Sequence, residues 1–170
     1  MPQEDNNIIC WYAARTRYGQ EIGVRDRLDA LGIQNFIPTT QSRNYRGKMR
    51  EKPVVNNLVF LRTTKSKACD LKVFFGLPVN YISDAANHCM LVVPDKQMED
   101  FIKVFQATDT EGGLVKDTVA PGERVRVISG PLSGVEGQVL DVAGEHYLIV
   151  GLCGLVYART KISRSCLQKL

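Results

Sequence analysis

The sequence predicts an α+β fold in two parts, and three observations carry that prediction. Up to about residue 106, apolar runs of strand length alternate with stretches of helical period. From Ala107 to Thr118 (ATDTEGGLVKDT) there are no aromatics and no period, and Gly112-Gly113 sits in the middle. Beyond it only strand signals remain, at intervals too short for crossover helices. A chain of 170 residues holds one ordinary domain or two small ones, each small one near the lower limit for a self-sufficient core. The expected organisation is a loose N-terminus at 1–7, a first domain at 8–106, a flexible linker at 107–118 and a small β-barrel at 119–170.

In chain order, residues 8–15 (IICWYAAR) form an apolar, aromatic-bearing run of strand length. Gly19-Gln20-Glu21 then opens a helix with Val24, Leu28 and Leu31 at i, i+4 and i+7, and Gly32 is its stop. Phe36-Ile37-Pro38 resumes extended structure, because the residue before a proline is driven out of the helical region. The basic stretch that follows has a hairpin tip at Tyr45-Arg46-Gly47-Lys48-Met49. Residues 58–61 (LVFL) read as a buried strand. Residues 66–75 read as a short helix capped by Ser66, with Leu71, Phe74 and Phe75 on one face and Gly76 at its end. Short strands at 79–83 and 88–93 flank a turn at 84–87. Pro94 then opens the clearest amphipathic helix, with Met98, Phe101, Ile102 and Phe105 in period. Strands are expected at 124–129, 135–142, 146–151, 155–159 and 166–170. About five strands in about fifty residues suit a small closed barrel, since closure removes exposed edges.

Composition narrows the function. Hydrophobic residues make up 44% and charged residues 24%, the balance of a soluble globular protein. The N-terminus has no charged-then-apolar leader, and apolar runs such as 90–93 and 147–150 are too short to span a bilayer, so a cytoplasmic protein with no membrane partner is expected. Five cysteines without C-x-x-C spacing argue against a disulfide framework and a zinc site. His88 and His146 are the only histidines, and neither has metal-ligand company in the sequence. There is no Gly-x-x-x-x-Gly-Lys phosphate loop and no nucleophile elbow, and Cys153 between Gly151 and Gly154 lacks an evident base. No catalytic residue, metal or cofactor is expected. Net charge is only +4, but its distribution is uneven. Arg43, Arg46, Lys48, Arg50, Lys52, Arg62, Lys65 and Lys67 stand against the single acid Glu51.

Residues 122–142 (GERVRVISGPLSGVEGQVLDV) read as one device. Alternating Val125/Val127 and Val135/Val139 flank the turn Gly130-Pro131-Leu132-Ser133-Gly134, and Gly130, Gly134 and Gly137 supply positive φ or close backbone approach. This order resembles the KOW motif of NusG-type transcription factors. The first half extends the resemblance: Trp11-Tyr12, Gly19-x-Glu21, Phe36-Ile37-Pro38, the basic hairpin leading through Lys52-Pro53, Tyr81-Ile82 and Pro94-Asp95-Lys96 are similar to the NusG N-terminal (NGN) domain. What the resemblance implies is an antiparallel sheet flanked by helices, a linker and an SH3-like KOW barrel. One departure stands out. Where the family has aromatic-Pro-Gly-Tyr ahead of its central strand, this chain has Val55-Asn56-Asn57-Leu58. That resembles the specialised UpxY-type antiterminators of Bacteroides-like surface-polysaccharide operons, and similarly the operon-specific factor RfaH.

The resemblance also implies partners. A NusG-type first domain docks on the RNA polymerase clamp helices, here through Val55, Leu58 and Phe60 with Trp11 nearby; Trp11 and Phe60 read alternatively as core, the favoured reading for Trp11, while alternation favours contact for Leu58 and Phe60. An exposed apolar patch with a central aromatic is what such docking requires. Arg15, Arg17, Arg46, Lys48 and Arg50 are the candidates for non-template DNA in the transcription bubble, by salt-sensitive phosphate attraction, with Tyr18 or Tyr45 able to stack on an unpaired base. A charged hairpin edge that merely prevents aggregation is the bland alternative. The barrel's counterparts bind a ribosomal protein or the termination factor Rho, through loops that correspond to Leu132-Ser133 and Leu152-Cys153-Gly154-Leu155; a nascent RNA leader is a further candidate. With seven Lys/Arg against six Asp/Glu from Glu111 onward, a protein is the better fit for the barrel. The implied function is non-catalytic antitermination on specific operons; a general NusG role and a ribosome-associated RNA-binding protein are the alternatives.

Overall fold

The computed structural model describes residues 7–108, 114–115 and 122–170. It divides into two compact units, Met1–Pro94 and Asp95–Leu170. The loose N-terminus expected at 1–7 lies outside the described residues except for Asn7.

The first unit is built around β1 (Ile9–Thr16). It pairs antiparallel with β5 (Leu58–Thr64), from Ile9 opposite Thr64 to Arg15 opposite Leu58. β2 (Gln34–Phe36) extends the sheet beyond β5. β6 (Val79–Tyr81) and β7 (Val92–Val93) pair with the other side of β1. Because side chains alternate along a strand, this register sets Ala14, Val59 and Leu61 on one face. Helices α1 (Glu21–Ala30) and α2 (Lys65–Val73) cover that face, and Val24, Leu28, Leu71 and Val79 complete its core. Trp11, Ala13, Leu58 and Phe60 alternate to the opposite face.

Helix ends differ from the sequence expectation in ways that have local causes. α1 stops at Gly32, whose φ is 69°, as expected. There the Ile33 N–H bonds the Leu28 carbonyl at 2.9 Å and the Gly32 N–H bonds that of Asp29 at 3.0 Å, the paired bonds of a Schellman motif. This reversal delivers Ile33 to the core and leaves Leu31, the expected third core position, 39% exposed. α2 is capped by Thr64 and not by Ser66: β5 runs directly into the helix, and the Thr64 hydroxyl accepts from the Lys67 N–H at 3.2 Å. At its other end the chain turns over Gly76, φ 59°, and the Leu77 N–H bonds the Leu71 carbonyl. Leu77 takes the core place, while Phe74 and Phe75, expected on the buried face, are exposed.

Between α1 and β5, β3 (Thr39–Arg43) and β4 (Met49–Pro53) form a separate two-stranded sheet. This is the basic hairpin.

The second unit begins with α3 (Asp95–Gln106), which the sequence grouped with the first domain. Here it packs on β11 (Glu145–Leu152) and β12 (Val156–Lys161), burying Met98, Phe101 and Val104. The antiparallel sheet runs in the order β13 (Leu167–Lys169), β9 (Glu123–Val127), β10 (Glu136–Val142), β11, β12, β8 (Leu114–Val115). So part of the stretch expected to be linker is strand: Leu114 and Val115 pair with Ala158 and Tyr157. The rest of that stretch beyond Thr108 lies outside the described residues. The glycines of the hairpin device divide their labour. Gly130 and Gly134 have φ of 87° and 89°, whereas a Cβ on Gly137 would press on the Ile149 carbonyl oxygen inside van der Waals contact.

Candidate nucleic-acid interface and partner surfaces

The hairpin tip is shaped by Asn44. Its side-chain oxygen accepts from the Arg46 N–H at 3.0 Å and the Lys48 N–H at 2.9 Å, and Gly47 turns the chain at φ 75°. The Arg46 guanidinium lies 5.2 Å from the centroid of the Tyr45 ring, which is 89% exposed. Arg43, Arg46, Lys48, Arg50 and Lys52 are all exposed. Register puts Arg50 and Lys52 on one face of the hairpin and Glu51 on the other.

Glu51 turns inward to anchor the element. Its Oε1 accepts from Arg25 Nη1 of α1 and from Thr39 Oγ1, both at 2.6 Å. The Arg25 guanidinium, and then the Thr39 hydroxyl, hold the Glu51 carboxyl below its ordinary value. Between hairpin and α1 lies a cleft of about 540 Å³, with Gly19, Glu21 and Ile22 on one wall and Arg43, Arg50, Lys52 and the Arg25-paired Glu51 on the other. A cationic wall of this kind suits phosphate oxygens.

Of the five expected nucleic-acid residues, Arg50 lines this cleft and Arg46 and Lys48 sit at the tip. Arg15 lies on β1, opposite Asn80 in register, and Arg17 precedes α1; both are exposed. Arg43 and Lys52 were missed as individual site residues. Strand alternation about the tip was the signal that could have found Lys52, two positions from Arg50.

The four residues expected to meet polymerase are not on the surface in this conformation. Trp11 and Val55 are each 5% exposed, and Leu58 and Phe60 are 0%. An apolar patch must be solvent-facing to dock a partner, so the expected exposure of Val55, Leu58 and Phe60 is corrected here, while burial of Trp11 agrees with the core reading favoured for it. Beside them, Asn57 adopts φ 63°, and its N–H is held by the buried Glu21 carboxylate at 2.8 Å. Asparagine is among the few residues that tolerate that conformation. Asn57 therefore holds a conformation that glycine adopts without strain.

In the second unit, Ser133 is exposed and Leu132 half-buried, while Leu152 is fully buried and not available to a partner. Cys153 and Gly154, with φ 47° and 74°, are the central residues of a turn closed by the Leu155 N–H on the Leu152 carbonyl at 2.8 Å, and exposed Cys153 donates its N–H and its Sγ–H to Gln97 Oε1 of α3 at 3.2 and 3.3 Å. Leu155 is half-buried. Asp141 is drawn below its ordinary range by the imidazole of His146. Among the described residues no group of three His, Cys, Asp or Glu is placed to hold a metal.

With this geometry in place, comparison with known proteins gives a family. A model of the NusG family, described as transcription termination factor NusG, matches residues 9–102, more than half of the chain. The chain belongs to the NusG family. Among solved structures, Thermotoga maritima NusG, described for its domain interaction, aligns with a TM-score of 0.51 at 18% identity over 96% of this chain and 98% of its own. At that identity the likeness is one of fold, and it agrees with the α+β architecture expected from sequence. The MjSpt4:Spt5 complex in conformation B aligns at 12% identity over 94% of this chain and 96% of its own, with a TM-score of 0.29 that supports no argument. Comparison with curated proteins found no match. This NusG-family transcription factor has, among its described residues, no helix long and apolar enough to cross a membrane.

Proposed function

We propose that this NusG-family protein binds RNA polymerase during elongation, lays its basic hairpin along the non-template strand of the transcription bubble, and promotes read-through of terminators. The observation that carries the reading is the hairpin: five exposed cations on a short sheet, oriented by Glu51 against α1. A merely solvated hairpin has no need of an inward ion pair to fix its direction. Read-through follows if the protein binds the closed, processive polymerase more tightly than the paused one, since only differential affinity shifts such an equilibrium.

Trp11, Val55, Leu58 and Phe60 remain the proposed clamp-helix surface. Their burial makes exposure of that face a required step of polymerase binding. The KOW unit's partner, a ribosomal protein, Rho or an RNA leader, meets it through the turns at Leu132-Ser133 and Cys153-Leu155. Restriction to polysaccharide operons, in the manner of UpxY-type factors, is the finer form of the proposal. A general NusG role is the second reading; Asn57, at φ 63°, stands in a conformation that glycine adopts without strain, which suits the glycine-bearing form of the motif. Single-round transcription by the cognate polymerase through a terminator decides between them. Read-through only on templates bearing an operon leader supports the specialised form, and read-through on all templates the general one. No effect on any template, with no polymerase binding, overturns both.

A further inference from the structure

Where α2 ends, three consecutive apolar side chains stand in solvent: Val73 at 70%, Phe74 at 78% and Phe75 at 41% exposure. The inner positions of the same helix, Ala68 and Leu71, are fully buried, so the exposed ones are not the helix's core face turned outward. Scattered surface apolar residues need no explanation, but a contiguous set with two aromatics marks a contact surface. The segment is also held in place. The Phe74 N–H bonds the Asp70 carbonyl at 2.8 Å, and Arg27 of α1 clasps the Phe75 carbonyl and, at 3.3 Å, that of Gly76. Such preorganisation lowers the entropic cost of binding.

Two lysines, Lys67 and Lys72, flank the patch with one acid, the part-exposed Asp70, between them in sequence. Lys67 Nζ lies 4.7 Å from the centroid of the Phe75 ring, and exposed Lys72 reaches Asn80 Oδ1 at 2.9 Å. We propose that the end of α2 is a docking site for an acidic, apolar protein segment, with Val73 and Phe74 entering its apolar face and Lys67 and Lys72 meeting its carboxylates. Charge complementarity selects this occupant. A second copy of the chain would bring like charge to like. Single-stranded nucleic acid needs successive open aromatic faces; Val73 has none, and Lys67 covers one face of Phe75. The site is separate from the hairpin cleft, and nothing in the proposed polymerase contact uses it.

The test titrates the full chain with three fluorescent probes. They are a short amphipathic helical peptide with leucines on one face and glutamates on the other, the same peptide with lysines for glutamates, and oligo(dT). The acidic peptide is expected to bind, and its affinity to fall at least about tenfold in Phe74→Ser. It is also expected to weaken with added salt and in Lys67→Glu/Lys72→Glu. The lysine peptide is expected not to bind. Val73→Thr, at a second exposed position, should weaken binding in the same direction, and unchanged melting of each variant shows that the fold is kept. Failure of the acidic peptide to bind overturns the proposal, as does binding indifferent to Phe74→Ser. Oligo(dT) as the probe that Phe74→Ser abolishes would instead make this a nucleic-acid surface.

Discussion

Glu51 is the only acid between Arg43 and Lys67; it shares the cleft lining with Arg43, Arg50 and Lys52, and its carboxylate is engaged by Arg25 of α1. Paired with Arg25 and Thr39, it is ionised at neutral pH and holds the hairpin to α1. Because its folded-state value lies below the unfolded one, the stabilisation is complete above the ordinary carboxylate range and is lost as pH falls through the depressed value. A half-exposed pair of this kind contributes about 0.5–1 kcal/mol. Glu51→Gln should therefore lower the amide protection factors of β3 and β4 at neutral pH while leaving those of β1 and β5 unchanged, and acidification of the native protein should lower the same protection factors relative to the intrinsic rates at each pH. Equal exchange in the variant and the native hairpin would show that the ion pair does not anchor it.

At the scale of elements, α3 is fastened by a buried acid that hydrophobic periodicity does not reveal. Asp100 is 3% exposed; Lys96 meets its two oxygens at 2.5 and 2.6 Å, and its Oδ2 accepts the Glu136 N–H at 3.1 Å. Lys96 also donates to the Gly134 carbonyl at 2.8 Å. Asp100→Ala leaves the part-buried Glu136 N–H without its acceptor and Lys96 without its carboxylate partner, a loss of about 1 kcal/mol or more. Hydrogen exchange should then show the α3 amides opening more readily, and unchanged protection would contradict this account of the contact. The period of α3 was legible in the sequence because Met98 and Phe101 follow it, but which sheet the helix meets was not. Asp100 adds a polar tie to that contact, and it reads as a surface residue until its partner on β10, the Glu136 N–H, is known. The end of α2 shows the same limit. Phe74 and Phe75 follow Leu71 at helical spacing, yet the turn over Gly76 substitutes Leu77. The hairpin was legible because its tip and its charge run are both local. Its direction was not, since Arg25 and Glu51 are far apart in sequence.

For the whole molecule, the notable feature is burial of the surface through which polymerase binding is proposed. Trp11 is the only tryptophan, so its fluorescence reports on that face directly. Free protein should emit at short wavelength and resist quenching by acrylamide. Binding to polymerase should alter both if Trp11 leaves its present surroundings. Quenching equal to that of free tryptophan in the unbound protein would contradict the burial. The resemblance to NusG was legible because its motifs are short and contiguous, from Trp11-Tyr12 to the glycines of the KOW stretch. Burial of Trp11 was the favoured reading of its residue type, but burial of Leu58 and Phe60 was not legible, because strand alternation tells which face a side chain takes and not what covers it.

The central claim is that the hairpin cations meet the non-template strand. The most direct measurement is the affinity of native protein and of Arg46→Glu/Lys48→Glu/Arg50→Glu for an elongation complex assembled on an open bubble, as a function of salt. Each lost single-strand phosphate contact should reduce the log–log salt slope by about 0.7, so the account predicts a slope lower by about two and weaker binding at low salt. An unchanged slope and affinity would contradict it and leave the hairpin a solvated edge.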